Sequence, residues 1–343
     1  MENTAQQAYQ QWLTSDAVDD ASKQELEAIA SDSKEIEERF YRYLAFGTAG
    51  MRGIIGAGTN RMNVYTVRHA TQGLAQYVLA KGGADKGVVI GYDTRYFSDV
   101  FAREAARVLV ANGIKVYLFT TIHATPEVSF AIRYYKAASG VMITASHNPK
   151  EYNGYKAYGP DGAQLPPEGS DMISAFLGKI NIFTGIKTVS DEALDSSPLL
   201  NQIGEAVDEA FLNAVQKISI DPDVIASVAD EFKLVYTPFH GTGLRPVTEI
   251  LKRIGVKHVI VEPNQAKPDP AFPTVESPNP ENPEGFAMAV ELAKKENASM
   301  IVGTDPDADR VGVVVRDAEG EYRVLTGNQT GALLCEYILS SKQ

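Results

Sequence analysis

The stretch that decides the fold is Met300-Ile-Val-Gly-Thr-Asp-Pro-Asp-Ala-Asp-Arg310, in which an apolar run of strand length leads into three carboxylates. These carboxylates, Asp305, Asp307 and Asp309, stand at every second position, and in an extended backbone such side chains share one face. Carboxylates held together raise one another's pKa values unless a cation lies among them, and Mg²⁺ and Ca²⁺ prefer oxygen ligands. The stretch therefore predicts a buried strand that ends in a divalent-metal site.

Two other interpretations of the carboxylates are weaker. A calcium loop of the EF-hand type needs glycine at its sixth position and glutamate at its twelfth, where this chain has Arg310 and Arg316. A solvated acidic turn is disfavoured because such turns rarely follow a buried strand with this regularity and with an arginine directly behind.

A second motif is the strand-like run 141–144 followed by Ala145-Ser-His-Asn-Pro149. Ligands of open α/β sheets lie at the carboxyl ends of strands, which is where Ser146 stands. A serine hydroxyl can carry a phosphoryl group covalently, and Lys156 is near enough to return over the same loop and neutralise charge or move a proton. Taken alone the motif is more typical of an ordinary turn, because serine and asparagine before proline are common turn residues. Its combination with the acidic stretch favours a site.

Strand-like and helix-like runs alternate along the chain, which is typical of mainly parallel sheets covered by helices. The expected strands are 88–92, 116–120, 141–144, 234–237, 258–262 and 300–304, and the expected helices include 62–81 and 98–112. We predict an α/β fold with two consecutive mixed or parallel-sheet α/β domains of similar design, followed by the start of a third. The predicted domains are 1–205 with the serine loop, 206–325 with the metal-binding loop, and 326–343 as the beginning of a truncated third domain.

The prediction that the two domains share a design rests on an internal echo, meaning two segments of similar sequence. Leu109-Val-Ala-Asn-Gly-Ile-Lys115 and Leu251-Lys-Arg-Ile-Gly-Val-Lys257 each lead from a helix through a glycine into a strand. Any helix that ends at glycine before a strand has this appearance, so the alternative of a chance match stays open. Residues 2–45 are predicted to form supporting helices, and 263–285, rich in proline and asparagine, an ordered loop.

The composition is that of an ordinary globular protein, with 44% hydrophobic and 22% charged residues. Lysine and arginine number 32 against 44 aspartate and glutamate, a net charge of −12, so there is no overall basic surface for nucleic acid or an anionic membrane. We expect neither partner. The single cysteine, Cys335, cannot form an intramolecular disulfide, and the N-terminus lacks a signal-peptide pattern, so the expected compartment is the cytoplasm.

Three loops together resemble those of the α-D-phosphohexomutases. They are Thr144-Ala-Ser-His-Asn-Pro149 with Tyr152-Asn-Gly-Tyr-Lys156, Gly303-Thr-Asp-Pro-Asp-Ala-Asp-Arg310, and Phe46-Gly-Thr-Ala-Gly-Met-Arg-Gly53. They look like the active-serine, metal and N-terminal loops of that family, in the expected order. The form of the N-terminal loop is most similar to the bacterial phosphoglucomutase (phosphoglucomutase/phosphomannomutase) branch, and Tyr236-Thr-Pro-Phe-His-Gly-Thr-Gly243 fits its second domain.

The resemblance implies a set of site residues. Ser146 would be the phosphoserine, and its phosphate would bind Mg²⁺ together with the three aspartates. Lys156 and Arg52 would move protons and stabilise charge at the sugar hydroxyl, and His147 would line the same site. Arg310 and Asn148 would bind substrate or phosphate.

The reaction implied by the resemblance is the interconversion of glucose 1-phosphate and glucose 6-phosphate through a phosphoserine and a glucose 1,6-bisphosphate intermediate. The partner would be a small sugar phosphate, with phosphomannomutase or phosphopentomutase activity as alternatives within the family. A mutase of this family has further domains, and the stretch 326–339 resembles the opening of a third. We therefore expect a C-terminally truncated chain with little mutase activity; the sugar preference and the oligomeric state stay open.

Two functions of other classes also fit the residues. A haloacid-dehalogenase-like phosphatase places Asp-x-Asp after a strand, as 301–307 does, but that motif usually opens its domain and continues into Thr or Val where this chain has Asp309. A non-catalytic sugar-phosphate binding protein is the other alternative. Among the histidines, His69, His123 and His258 are predicted to be structural, without a neighbouring ligand pattern. His240 either binds phosphate through its loop amides or stands in a tight turn.

Overall fold

The computed structural model describes residues 5–48 and 50–341. The chain forms two sheets, each covered by helices, so the predicted α/β class is confirmed. The quoted N-terminal loop includes Ala49, which lies outside the described residues, as does the chain end at Gln343.

The first sheet has six strands in the order β1-β5-β4-β2-β3-β6. Its strands are β1 (Met51–Ile54), β2 (Val88–Tyr92), β3 (Val116–Phe119), β4 (Ser139–Ile143), β5 (Tyr152–Tyr158) and β6 (Leu200–Ile203). The central strands are parallel, whereas β5 pairs antiparallel with both β4 and β1. The helices before and around this sheet are α1 (Ala5–Thr14), α2 (Asp20–Ala28), α3 (Ser33–Phe40), α4 (Val64–Ala80), α5 (Ser98–Ala111), α6 (Thr125–Tyr134), α7 (Pro167–Leu177) and α8 (Asp191–Asp195).

The second sheet has five strands in the order β11-β10-β9-β7-β8. Its strands are β7 (Lys233–Thr237), β8 (His258–Val261), β9 (Met300–Thr304), β10 (Val311–Arg316) and β11 (Tyr322–Val324). The remaining helices are α9 (Glu205–Gln216), α10 (Pro222–Val228), α11 (Leu244–Arg253), α12 (Pro263–Ala266), a 3₁₀ helix (Pro283–Phe286), α13 (Ala287–Glu296) and α14 (Gly327–Ser341). Strands β7, β8 and β9 are parallel, and β10 and β11 continue the sheet antiparallel.

Local sequence signals account for the helices that the alternation predicted. Asn63 caps α4 by accepting from the Thr66 amide at 2.9 Å, and the helix ends just before Gly82, whose φ is +65°. The two echo segments also share their local structure, because Gly113 and Gly255 both adopt positive φ between a helix and a parallel strand.

The prediction that 152–156 forms a loop is wrong, because these residues lie in β5. The strand was hidden by its glycine and polar residues, which break the apolar pattern expected of a buried strand. Gly154 is needed there: a Cβ atom at this position would lie 2.6 Å from the Thr144 carbonyl oxygen and 2.9 Å from that of Met51. Strands β1, β6, β10 and β11 were likewise not predicted.

The domain division stays a prediction. Strand β6 is the last strand along the chain that belongs to the first sheet, and α9 begins at Glu205. The predicted boundary after residue 205 therefore falls at the start of the helix that follows the first sheet. Helix α14, proposed to open a third domain, has no buried side chain among its described residues.

The N-terminal helices pack around Trp12, the single tryptophan, which makes edge contacts with Phe40 at a centroid distance of 5.8 Å. Phe40→Ala is expected to lower the free energy of unfolding of this cluster by about 3–5 kcal/mol, because the buried ring leaves a cavity. Urea titration followed by Trp12 fluorescence measures the effect. The neighbouring Tyr41→Ala, at a position 49% exposed, is the control; equal midpoints for the two variants would contradict the prediction.

Candidate active site

The predicted serine lies at the junction of the two sheets. Ser146 follows β4 in the left-handed region, with φ at +52°, and it is buried. Its hydroxyl donates to Asp305 Oδ2 at 2.6 Å and lies 3.1 Å from Nδ1 of His147. The serine loop of the first domain and the acidic loop of the second are therefore in direct contact.

The three carboxylates converge, but not through an extended backbone. After β9 the chain turns, with the Ala308 amide donating to the Asp305 carbonyl at 2.9 Å and Ala308 at a φ of +52°. The prediction of a shared strand face is wrong in its geometry, because a turn and not the strand period brings the side chains together. One oxygen from each of Asp305, Asp307 and Asp309 still lies within 4.8 Å of the others.

Burial and mutual repulsion act strongly on this cluster. Burial and the charges of Asp307 and Asp309 raise the pKa of Asp305 to about 8. Burial opposes the charge of Lys156, but Asp307 and Asp309 raise its pKa, with Nζ at 2.7 Å from Asp307 Oδ2 and 2.9 Å from Asp309 Oδ2. Asp307 Oδ1 is buried and has no hydrogen-bond partner among the described residues. An orphaned carboxylate oxygen inside a carboxylate cluster fits a hard divalent cation.

Thr125, at the start of α6, is a residue of this site that the sequence analysis missed. Its hydroxyl donates to Asp307 Oδ2 at 2.7 Å, and its amide donates to the Asp307 carbonyl at 2.8 Å. Residues of the first domain thus orient a carboxylate of the second. The signal available in the sequence was Thr-Pro a few residues after the expected strand 116–120, where a helix begins at the ligand edge of the sheet.

The remaining predicted residues surround the serine at the surface. Arg52 is exposed and donates from Nη1 to Asn148 Oδ1 at 2.6 Å. Arg310 is also exposed; its side chain lies 3.5 Å from Glu281, and its amide donates to Asp305 Oδ1 at 2.9 Å. The roles expected for these three side chains stay predictions.

His123, predicted to be structural without a neighbouring ligand pattern, lies close to the carboxylates of Glu127 and Asp208. Its Nδ1 contacts the Thr121 carbonyl at 2.8 Å, and its Nε2 contacts Asp208 Oδ1 at 3.0 Å. Burial opposes protonation, but the hydrogen bond to Asp208 and the charge of Glu127 raise the pKa of His123. Arg245 also pairs with Asp208, so this carboxylate has a cationic partner within the chain itself. Asp208 lies far along the chain on α9, and only tertiary structure reveals the contact.

The backbone hydrogen bonds of the His240 loop distinguish between a phosphate-binding loop and a tight turn. The amides of His240, Gly241 and Thr242 donate to the carbonyl oxygens of Gln265, Pro238 and Pro306, so none of the three is available for a phosphate. The loop packs instead against the acidic loop. A tight turn is therefore the better interpretation. His69 and His258 each contact one backbone carbonyl, in keeping with a structural role.

No helix among residues 5–48 and 50–341 is long and apolar enough to cross a membrane.

Sequence models of known protein families match both halves of the chain. Residues 43–181 match phosphoglucomutase/phosphomannomutase, alpha/beta/alpha domain I, and residues 209–320 match alpha/beta/alpha domain II. A phosphoglucomutase of Staphylococcus epidermidis is 42% identical over 306 residues, which cover 89% of this chain and 55% of that protein. A phosphoglucomutase of Staphylococcus aureus is 40% identical, with 88% and 54% covered. The chain thus spans about half the length of the curated relatives it matches.

Solved structures agree with these matches. A Thermus thermophilus protein with a provisional phosphomannomutase assignment has a TM-score of 0.67 and 29% identity, covering 80% of this chain and 57% of that chain. Because the two domain models match in order over most of the sequence, and curated relatives are about 40% identical along it, the chain belongs to the phosphoglucomutase/phosphomannomutase family.

Proposed function

We propose that this chain carries the phosphoserine and metal-binding half of a Mg²⁺-dependent phosphoglucomutase, which interconverts glucose 1-phosphate and glucose 6-phosphate through glucose 1,6-bisphosphate. The observation that carries the proposal is the 2.6 Å contact between the Ser146 hydroxyl and Asp305, which joins the serine loop after β4 to the cluster of three carboxylates after β9. The names of the relatives support glucose as the sugar. The proposal also places the protein in the cytoplasm, in keeping with its one unpaired cysteine.

The proposed metal ligands are Asp305, Asp307 and Asp309 together with the Ser146 oxygen. A Mg²⁺ ion bound there would supply positive charge to the phosphoryl oxygens as transfer proceeds. The chain's own cation at the same place is Lys156, whose ammonium contacts two of the carboxylates from inside the site. Arg52, Asn148 and Arg310 stand at the open side, where we propose that they bind the phosphate and orient the sugar.

In the proposed charging step, Ser146 Oγ forms a bond to the phosphorus of the sugar bisphosphate while the bond from that phosphorus to the sugar oxygen breaks. The Oγ proton is directed at Asp305 Oδ2 in this structure; rotation of the hydroxyl toward His147 Nδ1, 3.1 Å away, lets the imidazole take the proton, and the sugar oxygen takes a proton from the Lys156 ammonium. In turnover, the reverse of this step transfers the phosphoryl group from Ser146 to the free hydroxyl of a bound sugar monophosphate. The bisphosphate that forms then reorients and returns the phosphoryl group of its other end to Ser146, which leaves the isomeric monophosphate. Such a transfer requires mainly that the reacting groups are aligned and that positive charge lies close to the phosphoryl oxygens.

The test is phosphorylation of the purified chain with glucose 1,6-bisphosphate and Mg²⁺, followed by intact mass and phosphopeptide mapping. We expect one phosphoryl group on Ser146, resistant to hydroxylamine, and none without Mg²⁺. A hydroxylamine-labile phosphate on Asp305 would favour a phosphatase of the haloacid-dehalogenase type, because an acyl phosphate is labile and a phosphoserine is not. Tight binding of the bisphosphate in calorimetry, without any transfer, would favour a non-catalytic binding protein.

A further inference from the structure

Beneath the serine loop lies a buried arginine that none of the proposed chemical steps uses. Arg95 stands three residues after the end of β2, and its guanidinium donates to the backbone carbonyls of four residues in and next to the loop. Nη1 donates to Pro149 at 2.9 Å and to Tyr152 at 3.0 Å, and Nη2 donates to Ser146 at 2.6 Å and to Asn148. One side chain thus binds the loop on both sides of its tip. Its planar fork of five fixed donors suits such a task, whereas a lysine ammonium is a single point of charge.

The turn Asp93-Thr94-Arg95, to which the arginine belongs, also binds the serine loop through Asp93. Asp93 is buried and accepts from the Thr144 hydroxyl at 2.6 Å, and that hydroxyl accepts from the Ser146 amide at 2.8 Å. Asp93 also accepts from the Arg95 amide at 3.0 Å. The amide and the carbonyl of Ser146 are therefore both tied to the Asp93-Thr94-Arg95 turn.

Ser146 needs this restraint because its backbone conformation is unusual. A φ of +52° is disfavoured for any residue with a Cβ atom and persists only where the surroundings over-determine it. That conformation aims Oγ at Asp305 of the other domain. If the loop relaxed toward a more common conformation, the hydroxyl would leave the carboxylate cluster.

The second domain also contacts the arginine. The ring of Phe272, from the segment between α12 and the 3₁₀ helix, lies 5.1 Å from the guanidinium carbon of Arg95, within the range of a cation–π contact. The phenylalanine is buried. The guanidinium is therefore enclosed by the serine loop, by the turn of residues 93–95 and by Phe272 of the second domain.

We propose that Arg95 is a positioning residue for phosphoryl transfer: by binding the carbonyls of the serine loop, it holds Ser146 in the strained conformation that directs its hydroxyl into the carboxylate cluster. The proposal rests on the proposed function only in its kinetic consequence. The claim about loop conformation stands on the hydrogen bonds alone, so the two are tested separately.

The experiment compares Arg95→Lys with Arg103→Lys in the full chain. Arg103 lies on α5, is partly exposed and pairs with Asp191 and Asp195, so its substitution is a matched change away from the loop. With saturating Mg²⁺ and increasing glucose 1,6-bisphosphate, Arg95→Lys is expected to lower the maximal rate of Ser146 phosphorylation by about 10- to 100-fold, the scale of a small misplacement of a reacting group. The half-saturating concentration of the bisphosphate is expected to stay unchanged, because the guanidinium is buried beneath the loop.

A second measurement reads the loop without any chemistry. The bond after Lys150, which is exposed, lies between the two carbonyls that Nη1 binds, and trypsin cleaves it once the loop opens. Under native conditions, Arg95→Lys is expected to raise the rate of cleavage after Lys150 at least about tenfold, while the other tryptic sites are cleaved at the rates seen in Arg103→Lys. Both variants retain a tryptic site at the substituted position.

Unchanged cleavage after Lys150 in Arg95→Lys would overturn the proposal, as would a raised half-saturating concentration with an unchanged maximal rate. If the unsubstituted chain accepts no phosphate, the proposed function fails, and the cleavage rates alone decide whether Arg95 holds the loop. If Arg95→Lys does not fold, Arg95→Gln provides the comparison, because it keeps a side-chain amide donor but loses the guanidinium fork that binds the four carbonyls. We expect the same pattern there, and wild-type cleavage and rate would overturn the proposal.

Discussion

Ser146→Ala is expected to reduce phosphate incorporation from one phosphoryl group per chain to none, when the protein is treated with glucose 1,6-bisphosphate and Mg²⁺. The substitution removes the only atom of the serine that can form the bond to phosphorus, and loss of a covalent nucleophile lowers such rates by at least about 10⁴-fold. The fold is expected to be retained, because alanine has the same backbone preferences as serine at a φ of +52°. Intact mass spectrometry over time measures the loss.

Ser170→Ala is the matched control. Ser170 is as buried as Ser146, and its hydroxyl donates only to the Pro167 carbonyl at 2.9 Å. This control is expected to incorporate phosphate as the unsubstituted chain does. A phosphoryl group that persists in Ser146→Ala would show that another residue is the nucleophile, and mapping would then be directed first at Asp305.

Asp307→Asn is expected to weaken Mg²⁺ binding at least about 100-fold, which is the effect that even the residues supporting a metal ligand reach. Asp307 is the central carboxylate: Oδ2 accepts from Lys156 and Thr125, and Oδ1 is the buried oxygen without a partner among the described residues. An amide replaces a full negative charge with a dipole, and its NH₂ group cannot bind a cation. Calorimetric titration with Mg²⁺ measures the affinity.

Thermal unfolding gives an independent measure of the same loss. At a Mg²⁺ concentration about 100 times its dissociation constant, the folded chain gains about 2.7 kcal/mol from binding, and Asp307→Asn should lose this gain. Asp230→Asn is the control, because Asp230 is an exposed aspartate that also pairs with a lysine, Lys257 at 2.6 Å. A Mg²⁺-dependent shift of equal size in both variants would place the metal elsewhere.

The strands that the sequence predicted all contain a run of apolar residues. Most residues of β2, β4, β7 and β9 are buried, which accounts for their apolar runs. Strand β10 also contains an apolar run and was overlooked. Strands β1 and β5 escaped notice because glycine, asparagine and lysine occupy them, and these residues face the site or allow close approach of neighbouring backbones. Because the site requires polar residues and glycine in these strands, they lack the apolar pattern on which strand prediction depends.

The same division runs through the candidate site. The sequence by itself determined the family, the α/β class, the serine and the three carboxylates, because these depend on contiguous motifs of residues whose chemistry is specific. Only the tertiary structure decided what surrounds them. Thr125 and Asp307 are 182 residues apart, and His123 and Asp208 are 85 apart, so no local pattern relates them. Arg95 is the clearest case: its four acceptors are backbone carbonyls, which every residue carries, and folding alone brings those carbonyls within reach of one guanidinium.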